Sequence, residues 1–320
     1  MVKRVERLKE REHAVPALLY PDISLRKGAT ACADNGAGPH HVSEPSTPTP
    51  RSASPATQNR RLRIAETFTS LQGEGRLTGV PSFFIRTSGC NLRCWFCDTP
   101  YASWNPEGDR LSIESLVNAA VESSISPDAA ALPTDGSIDD PDSAHATGPA
   151  NAPIAVRHVV LTGGEPLVAA GFPELAAALR EAGMHVTVET AGTVDVDFPC
   201  NLLSLSPKLR ASRPDPEAHP KWSRRHEERR MPVATMRSLI ERSPAVQVKF
   251  VVDSPEEFGE IEEVVTDLRI DAADVWIMPQ GVSVEQLDDA AKWLTPWASQ
   301  QGYQYCDRMQ IRWYGNRRGT

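Results

Sequence analysis

Thr87-Ser88-Gly89-Cys90-Asn91-Leu92-Arg93-Cys94-Trp95-Phe96-Cys97 is the stretch on which the architecture turns. Three of the six cysteines fall within eight residues, directly after a β-rich run (Ser82 to Thr87) and a Ser-Gly turn. Their thiolates therefore converge from one loop at the carboxyl end of a strand. Structural zinc takes four protein ligands in a closed tetrahedron, typically from paired knuckles, and no second pair lies near this loop. A cubane of four irons held by three cysteines leaves one iron open to a small molecule. A zinc loop completed by a distant His or Cys, and a lone catalytic thiol, are the competing uses of these residues.

Outward from the loop, short β-rich runs alternate with helix-like ones. Strands fit Ile64 to Phe68, Ser82 to Thr87, Val156 to Leu161, His185 to Glu189, Leu202 to Leu205, Val246 to Val252 and Asp274 to Met278. Helices fit Ile113 to Val121, Pro173 to Ala182, Pro255 to Leu268 and Val284 to Ala298. This βαβα order predicts an α/β fold with a parallel sheet, open or curled into a partial (β/α) barrel, with its chemistry at the carboxyl ends of the strands.

Three stretches break the alternation. Residues 1–60 carry a Pro, Ser and Thr-rich tract with one aromatic, Tyr20, too little apolar surface to offset chain entropy, and read as a disordered tail ahead of a folded domain over 61–320. Ser123 to Pro153 holds five aspartates, no Lys or Arg and no aromatic residue, the pattern of a disordered insertion in a loop. Ala211 to Pro232 mixes six Lys or Arg with four acids and reads as an irregular stretch, either a solvated charged loop or a mobile lid.

The charge balance, 34 basic against 42 acidic residues for a net −8, lacks the basic excess of a protein that binds by neutralising phosphates, so nucleic acid is not an expected partner. No window approaches a membrane-spanning apolar run, the charged N-terminus precedes no apolar segment, and three crowded thiols suit a reducing compartment. A cytoplasmic protein is expected. Cys200 and Cys306 sit beside apolar segments and read as small buried thiols, while Cys32 falls in the tail.

The Cys-X3-Cys-X2-Cys spacing, with Phe96 just before the last cysteine, resembles the signature of the radical S-adenosylmethionine superfamily. The resemblance implies a [4Fe–4S] cluster on Cys90, Cys94 and Cys97. Its open iron would chelate the amino and carboxylate groups of S-adenosylmethionine and place the sulfonium for one-electron reduction. Phe96 would then lie near the adenine; core packing is the other use of Phe96 or Trp95. Thr162-Gly163-Gly164-Glu165-Pro166, at the end of a strand, resembles the superfamily's GGEP motif, which implies contacts from Gly164 and Glu165 to the methionyl ammonium. Ser206-Pro207-Lys208 supplies a hydroxyl and a cation at another strand end, suited to ribose hydroxyls or to the methionyl carboxylate. Gln280, in Met278-Pro279-Gln280-Gly281, is a candidate wall for the adenine.

The front block Thr67-Phe68-Thr69-Ser70-Leu71-Gln72-Gly73-Glu74-Gly75, followed by Pro81 to Arg86, Cys97-Asp98-Thr99, TGGEP, ETAG, SPK and the terminal Tyr314 to Gly319, closely resembles the 7-carboxy-7-deazaguanine synthase family. The likeness covers about residues 62–320. It implies radical ring contraction of 6-carboxy-5,6,7,8-tetrahydropterin to 7-carboxy-7-deazaguanine with loss of ammonia, on the route to deazapurines such as queuosine. Carried over by motif, it puts Leu71, Gln72, Gly73, Glu74, Thr162 and Arg86 on the substrate, Arg86 as a bidentate grip on its carboxylate. It puts Mg2+ on Thr99 and the last residue, Thr320, back at the substrate, with Gln310 and Arg312 offered by a final strand. It further implies a homodimer and a flavodoxin or ferredoxin-type reductant. A radical activase of a glycyl enzyme shares the cysteine loop, but the Leu71 to Gly75 block argues against it. A zinc-binding interaction module without catalysis is the rival from another class.

Overall fold

The computed structural model describes residues 60–130 and 152–319. Its main sheet runs β11-β10-β9-β8-β7-β6-β2-β1-β3, built from β1 (Arg61–Leu71), β2 (Pro81–Thr87), β3 (Asp109–Ser112), β6 (His158–Gly163), β7 (His185–Thr190), β8 (Leu202–Leu205), β9 (Val246–Val252), β10 (Val275–Pro279) and β11 (Gln304–Tyr305). From β2 through β11 the strands are parallel. They read as apolar runs because both faces are covered: all four residues of β8 are buried, as are Val159, Val160 and Leu161 of β6.

The expectation of a parallel sheet needs correction at one side, where β1 pairs antiparallel with both β2 and β3. The connection 72–80 is shorter than the dozen or so residues a parallel crossover needs, so β2 can only turn back along β1.

Between the strands lie α1 (Ile113–Val121), α3 (Phe172–Glu181), α5 (Val233–Arg242), α6 (Phe258–Leu268) and α7 (Val284–Gln301). Each presents an apolar stripe to the sheet. In α1 these are Ile113, Leu116 and Ala120, behind an N-cap in which Ser112 Oγ accepts from Ser115 N–H at 3.1 Å. In α3 they are Phe172, Leu175, Ala176 and Leu179, all fully buried. The helix expected from Pro255 begins as a 3-10 turn, Pro255–Glu257, under a Ser254/Glu257 capping box.

Two of the irregular stretches carry regular elements in their described parts. At the ends of 123–153, β4 (Ser124–Ile125) pairs antiparallel with β5 (Ile154–Ala155), and α2 covers Pro127–Ala130; residues 131–151 and the expected tail up to residue 59 lie outside the described residues. Within 211–232, α4 (Pro220–Arg229) is a two-and-a-half-turn helix that buries Ser223 and His226. The expected final strand bearing Gln310 and Arg312 is instead a short helix, α8 (Met309–Tyr314). Its Ile, Trp and Tyr favour strands, but the Met309 N–H donates to Gly73 O at 3.0 Å and Ile311 is buried, and these tertiary contacts override the local preference. No helix among the described residues is long and apolar enough to cross a membrane.

Candidate active site

Because β2, β6, β7 and β8 are parallel and in register, with Thr87 opposite Gly163 and Thr190 opposite Leu205, their carboxyl ends open onto one rim. A cavity of about 540 Å³ lies there. Cys90, Cys94, Cys97 and Thr99 line it from the loop after β2, Thr162 and Gly164 from β6, Ser206 and Lys208 from beyond β8, and Leu71, Gln72, Gly73, Glu74 and Arg86 from β1, its turn and β2. Phe96 also lines it, while Trp95 is 50% exposed, so neither aromatic is a core residue. Glu165, Pro207 and Gln280 are not on the wall, and Thr320 lies outside the described residues.

The cysteine loop is fastened to the glycine-rich turn by backbone bonds. Gly164 N–H donates to Thr87 O at 3.0 Å, Glu165 N–H to Gly89 O at 2.9 Å, and Gly89 N–H to Ala102 O at 2.8 Å. This approach explains the glycine: a Cβ on Gly164 would stand 2.3 Å from Gly89 O and 2.5 Å from Ala102 O, both backbone atoms that cannot yield.

Burial pushes the Cys90 and Cys94 thiols up to about 12, so thiolates persist in this wall only against a strong cationic partner. The three thiols reach one cavity from a single loop, and in a cubane each of three sulfurs takes a different iron. The donor set therefore fits an iron–sulfur cluster. Cys200 and Cys306 are buried and free, away from this loop.

Glu165, 1% exposed, is satisfied internally rather than aimed into the cavity. Its carboxylate accepts from Thr190 Oγ1 at 2.6 Å, Ala191 N–H at 2.8 Å and Leu167 N–H at 3.1 Å, and burial holds its pKa above the ordinary carboxylate range despite those donors. It ties the β6 turn to the end of β7. Lys208 Nζ donates to Ser206 O at 2.6 Å and to Ser206 Oγ at 2.8 Å, which folds the Ser-Pro-Lys turn so that hydroxyl and ammonium face the cavity together.

On the opposite wall Arg86 donates Nε to Glu66 Oε1 at 2.7 Å, and Glu66 also accepts from Tyr101 OH at 2.8 Å and Arg318 Nε at 3.0 Å. Burial alone pushes the Glu66 carboxyl up, but the Arg86 and Tyr101 hydrogen bonds outweigh it and hold the group ionised, below its usual range. With Nε engaged, the terminal nitrogens of Arg86 have no hydrogen-bond partner among the described residues, and the residue lines the cavity.

Sequence reasoning missed the charged floor between these walls. Glu74 pairs with Lys249 of β9, accepts from Gln310 Nε2 at 2.6 Å, and faces Arg308 Nε at 3.6 Å. Arg308 in turn pairs with Asp98, next to Cys97, and donates to Gly281 O at 2.8 Å. Burial works to raise Glu74, yet Lys249 and Arg308 more than reverse it and hold the carboxyl well below its usual range; Lys249 is correspondingly held above its own by Glu74 and Glu189, against burial. A signal existed in β9, Val246-Gln-Val-Lys249-Phe-Val-Val252, where two polar residues two apart interrupt an otherwise apolar strand. Arg308 carried none. Its role depends on α8 docking against Gly73, where an added Cβ would lie 2.7 Å from Gln310 N.

No protein-family model matches the chain. A 7-carboxy-7-deazaguanine synthase of Rhodopirellula baltica is 57% identical over 259 residues, covering 81% of this chain and 89% of that protein. One from Halobacterium salinarum is 39% identical over 273 residues, covering 82% and 94%. Among solved structures, QueE from Escherichia coli matches with a TM-score of 0.52 at 21% identity over 78% of this chain and 94% of that one, a likeness of fold.

Proposed function

The chain belongs to the 7-carboxy-7-deazaguanine synthase family, and from that premise we propose that it contracts 6-carboxy-5,6,7,8-tetrahydropterin to 7-carboxy-7-deazaguanine with release of ammonia, in deazapurine biosynthesis. The observation that carries this reading is one cavity of about 540 Å³ that takes the three cysteines on one wall and Leu71, Gln72, Gly73, Glu74 and Arg86 on the other. A glycyl-radical activase has no use for the second wall, and a zinc module would use the cysteines alone and leave the rest of the cavity without a role.

Cys90, Cys94 and Cys97 would hold the [4Fe–4S] cluster, which, with S-adenosylmethionine bound, supplies the electron that releases a 5′-deoxyadenosyl radical. The chain's own residues then bind and orient. Gly164, Ser206 and Lys208 offer a backbone, a hydroxyl and a cation to S-adenosylmethionine, with Phe96 beside it; Glu165 positions the Gly164 turn from behind. Arg86 grips the substrate carboxylate through its two free nitrogens. Gln72 donates Nε2 to Glu189 Oε1 at 3.1 Å and accepts from Glu74 N–H at 3.1 Å, which fixes the Leu71 to Glu74 edge as a template for the pterin ring. Lys249 and Arg308 hold Glu74 ionised, so that carboxylate is an acceptor for ring N–H groups and not a proton donor.

Mg2+ at Thr99 is part of the same proposal. The Thr99 hydroxyl is on the wall 3.8 Å from Cys97 Sγ, and neighbouring Asp98 is engaged by Arg308, so one hydroxyl plus substrate oxygens and waters would complete an octahedron. The reductant would be a flavodoxin or ferredoxin-type carrier, the assembly a homodimer, and Thr320 a further substrate contact.

The test is anaerobic incubation of the reconstituted protein with reductant, S-adenosylmethionine and the carboxytetrahydropterin. Formation of 7-carboxy-7-deazaguanine is expected, and Cys94→Ala should abolish both the brown iron–sulfur absorbance and deoxyadenosine formation. A colourless, zinc-loaded protein that yields no deazaguanine would overturn the reading.

A further inference from the structure

Four Lys or Arg side chains are buried among the described residues, and three of them face carboxylates: Lys249 pairs with Glu74, Arg230 with Glu227 and Glu260, and Arg308 with Asp98. The fourth, Arg93, has no carboxylate partner among the described residues, although it is only 7% exposed. Its Nη1 donates to two carbonyls of its own loop, Cys90 O at 2.8 Å and Leu92 O at 2.6 Å. Its guanidinium lies 4.0 Å over the Trp222 ring and 5.9 Å from that of Trp104. Carbonyls and ring faces turn partial negative charge towards a cation without neutralising it. Burying a charge that has no counter-charge is strongly unfavourable, so the anion that answers Arg93 has to be sought next to it.

The neighbours identify that anion. Burial pushes the Arg93 guanidinium down from its ordinary value, and what opposes burial is charge on Cys90, Cys97 and Cys94, all three thiols of the loop. Leu92 and Cys94 on either side line the cavity, whereas Arg93 does not, so its side chain stands behind the loop and off the wall that would meet S-adenosylmethionine or substrate. Lys208, the other cation acting on Cys94, works from the cavity side.

We infer that Arg93 is the built-in counter-charge of the cysteine-held cluster, a fixed cation behind the loop that raises the reduction potential of that cluster. The inference rests on the functional reading above, from which the iron–sulfur cluster comes. In the step concerned, one electron passes from a low-potential donor, dithionite in the test, to the cluster. The donor is oxidised and the cluster reduced, no bond of the protein breaks, and no proton moves. The electron adds negative charge to an assembly that already carries three thiolates, so a cation buried beside it favours the reduced form over the oxidised one. Arginine suits the task because a guanidinium keeps its charge where an ammonium readily loses its proton on burial. Arg93 is in this sense a positioning residue for charge, acting on the chemistry through the cluster and touching no reactant.

The experiment measures the midpoint potential of the reconstituted protein by dithionite titration without S-adenosylmethionine, followed by the electron paramagnetic resonance signal of the reduced cluster, with iron content measured alongside. Arg93→Gln should lower the equilibrium constant for reduction about tenfold or more, which for one electron is about 59 mV. Arg93→Lys, which keeps the charge and loses the fork, should stay within about threefold of wild type. Trp222→Glu sets a carboxylate beside the guanidinium and leaves the loop bonds in place; it should lower the potential in the same direction. A mere clasp on the loop backbone would be broken alike by Lys and by Gln, and would leave the Trp222→Glu potential unmoved. Wild-type potentials in both Arg93→Gln and Trp222→Glu would overturn the inference. If Arg93→Gln takes up no iron, the Trp222→Glu potential decides. If neither holds iron, Arg93→Lys decides: iron retained at the wild-type potential supports the counter-charge, and iron lost overturns it. Wild-type protein that shows no iron–sulfur signal after reconstitution would sink the functional reading itself, a result read before any variant is compared.

Discussion

His226 Nδ1 accepts the backbone N–H of Arg93 at 3.2 Å, so a helix from the charged segment 211–232 reaches into the middle of the Cys90 to Cys94 loop. The other ring nitrogen meets Ser212 Oγ at 2.9 Å, and Ser212 donates onward to Leu209 O at 2.6 Å, which leaves the proton of His226 on Nε2. The ring is fully buried, and burial pushes its pKa down to about 4. Arg93 is further clamped by its guanidinium lying 4.0 Å over Trp222, and Arg229 donates to Asn91 O at 3.4 Å. What composition presents as a charged loop is a brace behind the cysteine loop.

Replacing His226 by Phe keeps the ring volume, strands the buried Arg93 N–H and removes the donor to Ser212 Oγ. A stability loss of about 2 to 4 kcal/mol is expected, read by urea unfolding of the apoprotein, with faster loss of iron to a chelator from the reconstituted form. Wild-type stability together with wild-type iron retention would show that the brace carries no load.

Arg86→Gln removes the fork but leaves Glu66 its partners Tyr101 and Arg318, so the wall should stand. A loss of about 2 kcal/mol or more in substrate recognition, roughly thirtyfold in kcat/KM, is expected with iron content unchanged. Partial rescue by Arg86→Lys, in KM more than in kcat, would identify the carboxylate as the group gripped. If Arg86→Gln turns over normally, the side chain serves only its salt bridge.

Glu74→Gln leaves Lys249 and Arg308 buried with less counter-charge. Such uncompensated burial costs about 3 to 5 kcal/mol, and Glu74→Gln/Lys249→Met should recover part of it in thermal unfolding. Equal melting temperatures for the single variant and wild type would refute the network as a structural element.

Gly164→Ala pushes a methyl carbon against two backbone carbonyls. An overpacking cost of at least about 1 to 3 kcal/mol is expected, with displacement of the cysteine loop that shows as reduced iron uptake on reconstitution. Normal uptake would mean that the β6 turn and the cysteine loop are not in register as described.

Acid should destabilise the fold at a site remote from the chemistry. His158 and His185 stand opposite one another at the amino ends of β6 and β7, ring centroids 4.5 Å apart, each with a buried Nδ1 that has no hydrogen-bond partner among the described residues. Burial lowers the pKa of His158, and burial, His158 and Arg180 lower that of His185 to about 4. Above the ordinary value of about 6.5 both states are neutral and nothing is lost. As pH falls from there towards 4 the unfolded chain takes protons the folded one refuses, so stability drops across that window. His185→Gln should flatten the drop relative to wild type in urea unfolding at pH 7 and pH 4.5; identical slopes would remove the pair from the account.

Much of the site is legible in the sequence, because its residues act through local chemistry. Three cysteines on one turn, a glycine where two backbones touch, and a Ser-Pro-Lys turn at a strand end are set by nearest neighbours in the chain, as are α1 and the apolar strands β8 and β9. The family resemblance added Arg86 and Thr99, and the cavity receives both. What could not be read were groups whose meaning comes from distant partners. Lys249 is a polar interruption until Glu74, 175 residues earlier, is folded against it, and Arg308 and Asp98 find each other across 210 residues. His226 carries no local signal in a stretch of Lys, Arg and acids. Burying an ionisable group is unfavourable unless a partner is already in place, and only the folded chain decides which partner that is. The antiparallel β1 and helical α8 belong to the same class: a short connection and a backbone contact with Gly73 chose them over local preference. The sequence by itself determined the three-cysteine loop and the strands that carry it; the tertiary structure decided what holds that loop in place.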